Sequence, residues 1–172
     1  MNIKERLING NKSFVLGVQN NEQKKELNTR LIKGQNPYAL IITCSDSRVI
    51  PEKIFSTTLG ELFVIRTAGN VINEGELATI EYAIEHLHIS YILVLGHTHC
   101  GAIHASIHHE KGRYLSPILS NIEKCIGNEC DERKASIINA KKQVEYIKNK
   151  FIDYNGVVEA ALYDIETNVV EF

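Results

Sequence analysis

Three short apolar runs constrain this chain more than any other feature. Tyr38-Ala39-Leu40-Ile41-Ile42-Thr43 follows Pro37, and Leu62-Phe63-Val64-Ile65-Arg66 and Tyr91-Ile92-Leu93-Val94-Leu95 repeat its character. Unbroken runs of this length, rather than alternating ones, mark strands covered on both faces, as in a parallel sheet. The intervals carry helical patterns. Leu77, Ile80, Ile84 and Leu87 share one helix face, and Ile137, Ala140, Val144, Ile147 and Phe151 repeat that spacing in a well-solvated segment between Asp131 and Gly156. Stretches 156–163 and 169–172 read as two strands around a turn. The pattern predicts an α/β fold with a mainly parallel central sheet, helices on both sides and an antiparallel edge hairpin at the C-terminus.

Residues 1–33 set Ile3, Leu7, Ile8, Leu27, Leu31 and Ile32 in an otherwise charged stretch, which predicts an amphipathic N-terminal helical arm. No repeat or flexible linker divides the 172 residues, so one domain is expected. Its parts are the arm at 1–33, a core at 34–104, a helical region at 105–155 and the closing strands at 156–172.

Composition excludes several function classes. Lys and Arg total 19 against 21 Asp and Glu, a net charge of −2, so no basic footprint for nucleic acid is present. No aliphatic run approaches the roughly 18 residues of a membrane span. The opening Met1-Asn2-Ile3-Lys4-Glu5-Arg6 has no apolar leader character, and a cytoplasmic address is expected. Cys44, Cys100, Cys125 and Cys130 are too sparse for a disulfide framework, and no two have C-x-x-C spacing. They read as free thiols or metal ligands.

Open α/β sheets place their ligands beyond the carboxyl ends of the strands. The three runs lead directly into Cys44-Ser45-Asp46-Ser47-Arg48, Arg66-Thr67-Ala68-Gly69-Asn70 and Gly96-His97-Thr98-His99-Cys100-Gly101. Parallel neighbours would bring Cys44, His97 and Cys100 to one point. Two thiolates and an imidazole suit tetrahedral zinc, and three protein ligands leave a fourth position open. From spacing alone, two packed thiols and a loop histidine explain these residues as well as a metal does. Asp46 and Arg48, two apart on an extended segment, can pair beside the site or form an ordinary surface ion pair.

The string Cys44-Ser45-Asp46-Ser47-Arg48, with His97-x-x-Cys100-Gly101 some fifty residues on, closely resembles the β-class carbonic anhydrases. Gly60 to Asn70, Ile80-Glu81-Tyr82-Ala83 and the ending Ala161 to Thr167 match further blocks of that family in order. The resemblance is dense from Gln35 to about His104 and loose at the N-terminus and over 105–155. It implies zinc, one per chain, held by Cys44, His97 and Cys100, with Asp46 and Arg48 as the catalytic dyad. It also implies a substrate pocket at Gln35, Phe63, Ala68, Tyr82 and Gly101. The implied reaction is reversible hydration of carbon dioxide to bicarbonate by attack of zinc-bound hydroxide. The implied working unit is a homodimer or higher homo-oligomer, with the arm laid across the partner. Ile41 stands where the bicarbonate-regulated branch carries tryptophan, so that branch's regulatory site is not expected.

Two other functions fit the same ligand set. One is a hydrolase acting on an isoelectronic substrate such as carbon disulfide, and the other is a zinc-holding module without activity. The absence of G-x-G-x-x-G argues against a zinc alcohol dehydrogenase. His104 and His108 lie one helical turn apart and read as a solvated face. His86, His88, His99 and His109 show no partner in the sequence, and Cys125 and Cys130 read as packed or exposed thiols.

Overall fold

The computed structural model of the chain describes residues 2–17 and 31–172. Helix α1 (Ile3–Val15) begins at a capping box in which Asn2 and Glu5 satisfy each other's backbone N–H groups. Strand β1 (Ala39–Cys44), the short α2 (Pro51–Ile54) and strand β2 (Leu62–Thr67) follow, and β2 runs into a 3₁₀ turn at Ala68–Asn70. Then come α3 (Glu74–Glu85), β3 (Tyr91–His97), α4 (Gly101–Ile107), α5 (Ser116–Ile126) and α6 (Glu132–Lys150). The described chain closes with β4 (Val157–Tyr163) and β5 (Val170–Glu171).

The strands form one sheet in the order β2-β1-β3-β4-β5. The first three pairings are parallel, and only β4 with β5 is antiparallel. Registers Cys44 to Thr67 and His97 to Tyr163 align the carboxyl ends of the strands. Every residue of β1 and β3 is buried, as unbroken apolar runs require, whereas edge strand β2 is only partly covered.

Successive side chains alternate between two cores. Ile41, Leu93, Leu95 and Ala161 meet Leu7 of α1 together with Val49, Ile54 and Phe55. Leu40, Ile42, Ile92 and Val94 meet Ile80 and Ala83 of α3 and Ala140, Val144 and Ile147 of α6. A third cluster caps the carboxyl end of the sheet with Cys44, Val71, Cys100, Ile103, Ile122 and Ala135.

The first part of the expected arm sits on its own sheet. Leu7 is fully buried, a contribution of about 1.5–3 kcal/mol. The buried Asn11 amide donates to the Ile54 and Asn168 carbonyls and accepts from the Val170 N–H, which ties α1 to both α2 and β5. One face of α1 is thus covered by its own sheet, while Val15 at its end and Leu16 after it are exposed. Leu27 lies outside the described residues, and Ile32 is exposed.

Candidate metal centre

Cys44 ends β1, His97 ends β3, and Cys100 caps the start of α4. Since β1 and β3 are adjacent and in register, their ends deliver one ligand each, and the turn after β3 returns the third. The three ligand atoms lie within 4.8 Å of one another and all three residues are buried. The sulfurs stand 3.9 Å apart. Tetrahedral zinc with bonds near 2.3 Å needs about 3.8 Å between two thiolates.

The surroundings also fit a cation. His97 Nδ1–H donates to the Thr98 carbonyl at 2.8 Å, which fixes the tautomer and leaves Nε2 as a lone pair. That Nε2 is buried and has no hydrogen-bond partner. A hydrogen bond from Cys100 draws the Cys44 thiol down despite burial, helped by the backbone N–H groups of Asp46 and Gly69. The same bond and burial push the Cys100 thiol up. Among the described residues this is the one group of three or more such side chains close enough to share an ion.

Beside it, Arg48 grips Asp46 at both oxygens, Nε to Oδ1 at 2.9 Å and Nη2 to Oδ2 at 2.7 Å. The Arg48 backbone N–H adds a third bond to Oδ1 at 2.9 Å. The side-chain bonds from Arg48 hold the Asp46 carboxyl well below the usual carboxylate range against the cost of burial, helped by the Arg48 backbone N–H. Arg66 donates to the carbonyls of Cys44 and Asp46, pinning the backbone between ligand and dyad. Sequence reasoning gave Arg66 no role, since arginines at strand ends are common and its targets are backbone atoms.

The other expected residues are more dispersed. Ala68 opens the 3₁₀ turn whose next residue, Gly69, donates its N–H to Cys44 Sγ at 3.3 Å. Phe63 and Tyr82 face each other with ring centroids 6.1 Å apart, and Tyr82 is 46% exposed. Gln35 lies exposed in the segment before β1, and Gly101 is exposed at the start of α4. Two histidines without evident partners in the sequence find glutamates, His99 with Glu166 and His109 with Glu123, and His104, expected on a solvated face, bonds Glu132.

A family model described as carbonic anhydrase matches residues 39–168. Carbonic anhydrase 2 of Mycobacterium tuberculosis is 46% identical over 102 residues, covering 59% of this chain and 49% of that protein. The chain thus spans about half the length of the curated relatives it matches first. A Coccomyxa β-carbonic anhydrase solved in complex with acetazolamide superposes with a TM-score of 0.75 at 27% identity, over 87% of this chain and 77% of that one. One of two tetrameric β-carbonic anhydrases from Sordaria macrospora gives 0.71 at 26% identity, over 87% and 86%.

Proposed function

The chain belongs to the β-class carbonic anhydrases, and from that premise we propose that it catalyses the reversible hydration of carbon dioxide to bicarbonate and a proton. Zinc held by Cys44, His97 and Cys100 is the proposed cofactor. The observation that carries this reading is the partnerless Nε2 of buried His97, facing two thiols at the spacing zinc requires. Bound there, zinc supplies a Lewis acid that lowers the pKa of a coordinated water toward neutrality.

The chain's own residues do the rest. Asp46, kept ionised by Arg48, is an acceptor only: Oδ1 takes the Arg48 Nε–H and backbone N–H, and Oδ2, which takes Nη2–H, retains a lone pair. It accepts a hydrogen bond from the nucleophile and orients it toward the substrate carbon. Arg48 Nη2 also donates to the His99 carbonyl at 3.0 Å, which fixes the dyad relative to the loop carrying His97 and Cys100. Phe63, Ala68 and Tyr82 offer an apolar surface suited to an uncharged molecule, Gln35 a donor for one of its oxygens, and Gly101 unobstructed space. The working unit is a homodimer or a larger homo-oligomer: β2 is an unpaired edge, and Leu59 and Tyr82 near it are exposed. Stopped-flow hydration of carbon dioxide by the zinc-loaded protein tests the activity, with rates above buffer expected. A folded, zinc-loaded protein at the buffer rate would overturn it.

A further inference from the structure

Helix α6 carries two amide side chains where an apolar core face is expected. Asn139 is 0% exposed and Gln143, one turn on, is 2% exposed, among Ala135, Ala140, Val144 and Ile147. A buried amide is costly unless its donors and acceptors are met. Both amides are met largely by one backbone segment. Asn139 Nδ2 donates to the Gly69 carbonyl at 2.9 Å, and Gln143 Oε1 accepts from the Ile72 N–H at 3.1 Å. Gln143 Nε2 is held in turn by Asn121 Oδ1 at 3.0 Å and reaches Asn139 Oδ1 at 3.5 Å.

The segment they grip needs holding. Gly69 and Asn70 both lie in the left-handed region, at φ 63° and 49°. Glycine, and among other residues asparagine, tolerate this region best, so the turn is built from residues suited to it and its exact placement is set by what holds it. Gly69 is also the residue whose N–H donates to Cys44 Sγ at 3.3 Å. Its N–H is thus committed to a metal ligand and its carbonyl to Asn139. A Cβ at Gly69 would sit 2.7 Å from Ile122 Cδ1 and 3.1 Å from Ala102 Cβ, so this position takes a residue without a side chain.

We propose that Asn139 and Gln143 are positioning residues for the metal centre, acting through the Gly69 N–H to Cys44 hydrogen bond. The proposal rests on the zinc assignment above. An N–H donor at a thiolate draws charge away from the metal–sulfur bond and orients the sulfur lone pairs. With two thiolates and one imidazole as ligands, that donor bears directly on how strongly the site binds and polarises its ion. The interaction reaches Cys44 from a helix that contributes no ligand.

The test is Asn139→Asp, which keeps the shape and replaces the Nδ2 donor by an oxygen facing the Gly69 carbonyl. Gln143→Met, which keeps volume and releases Ile72, is a second variant in case the first fails to fold. Ser136→Ala is the control, because Ser136 is buried on the same helix but bonds only the Glu132 carbonyl. Each is read by zinc affinity in chelator competition and by the thiolate-to-metal charge-transfer band of the cobalt(II)-substituted protein. Asn139→Asp or Gln143→Met, folded, should lose affinity about tenfold or more and shift the band, with Ser136→Ala unchanged. Wild-type affinity and an unshifted band in a folded variant would overturn the proposal, as would an equal change in Ser136→Ala. Wild-type protein that binds neither metal at these ligands would instead overturn the zinc assignment.

Discussion

Asp46 and Arg48 meet side on through two parallel hydrogen bonds of 2.9 and 2.7 Å, and the same guanidinium holds the His99 carbonyl at 3.0 Å. That fork demands arginine, because a lysine ammonium cannot make both carboxylate bonds in one plane. Arg48→Lys is expected to keep its zinc and lose hydration activity about tenfold to a hundredfold. Stopped-flow assay with elemental analysis checks both. A lysine variant as active as wild type would remove the dyad from the mechanism.

The seat of α1 gives a stability prediction. A Cβ at Gly10 would stand 1.9 Å from the Phe55 carbonyl oxygen, a backbone atom that cannot step aside. Gly10→Ala gains about 1 kcal/mol of helix propensity but must lift α1 off Phe55, and overpacking of this kind costs about 1–3 kcal/mol. With contact this close, the steric cost is expected to win. Urea denaturation should show net destabilisation, and a variant more stable than wild type would mean that α1 is not docked this way.

Arg133 links α6 to the turn before β5 by bonding Asp164 at 2.6 Å. That bond holds the Asp164 carboxyl below its ordinary range against a small burial cost, helped by the N–H groups of Glu166 and Thr167. The folded chain therefore releases the Asp164 proton more readily than the unfolded chain. The pair's stability is fully present above the ordinary aspartate value near 3.9 and is lost as pH falls through the lowered folded value. Arg133→Gln should melt below wild type at pH 7, with the gap closing in strong acid. A gap that is constant or wider in acid would contradict this.

Oligomerisation is checked by sedimentation at micromolar concentration. Species of two or more 19.4 kDa chains are expected. A fully active species at 19.4 kDa would contradict the proposed assembly.

The strands were the most legible part of this chain. Buried runs such as Ile92-Leu93-Val94-Leu95 have no other comfortable place in a soluble fold, and all of β3 is indeed buried. Parallel strands in register bring Cys44 and His97 to one end of the sheet, but spacing alone leaves packed thiols equally open, and the family resemblance singles out the three as ligands. What stayed hidden depends on tertiary partners. Asn139 and Gln143 look like residues of a solvated helix, and only the approach of Gly69 and Ile72 makes them core. His99 pairs with Glu166 across 67 positions, a distance over which local pattern carries no information. Tyr82 is legible as a family position, yet within one chain it is half-exposed and stacked on His86, with ring centroids 5.0 Å apart.

The most direct test is hydration rate measured as zinc is titrated into metal-free protein, for wild type, Cys44→Ser and His97→Ala. Wild-type activity should rise linearly and level off at one zinc per chain, while both variants retain neither tightly bound zinc nor activity. Hydration that persists in zinc-free wild type, or a folded wild type that holds one zinc at these ligands and hydrates no faster than buffer, would contradict the assignment.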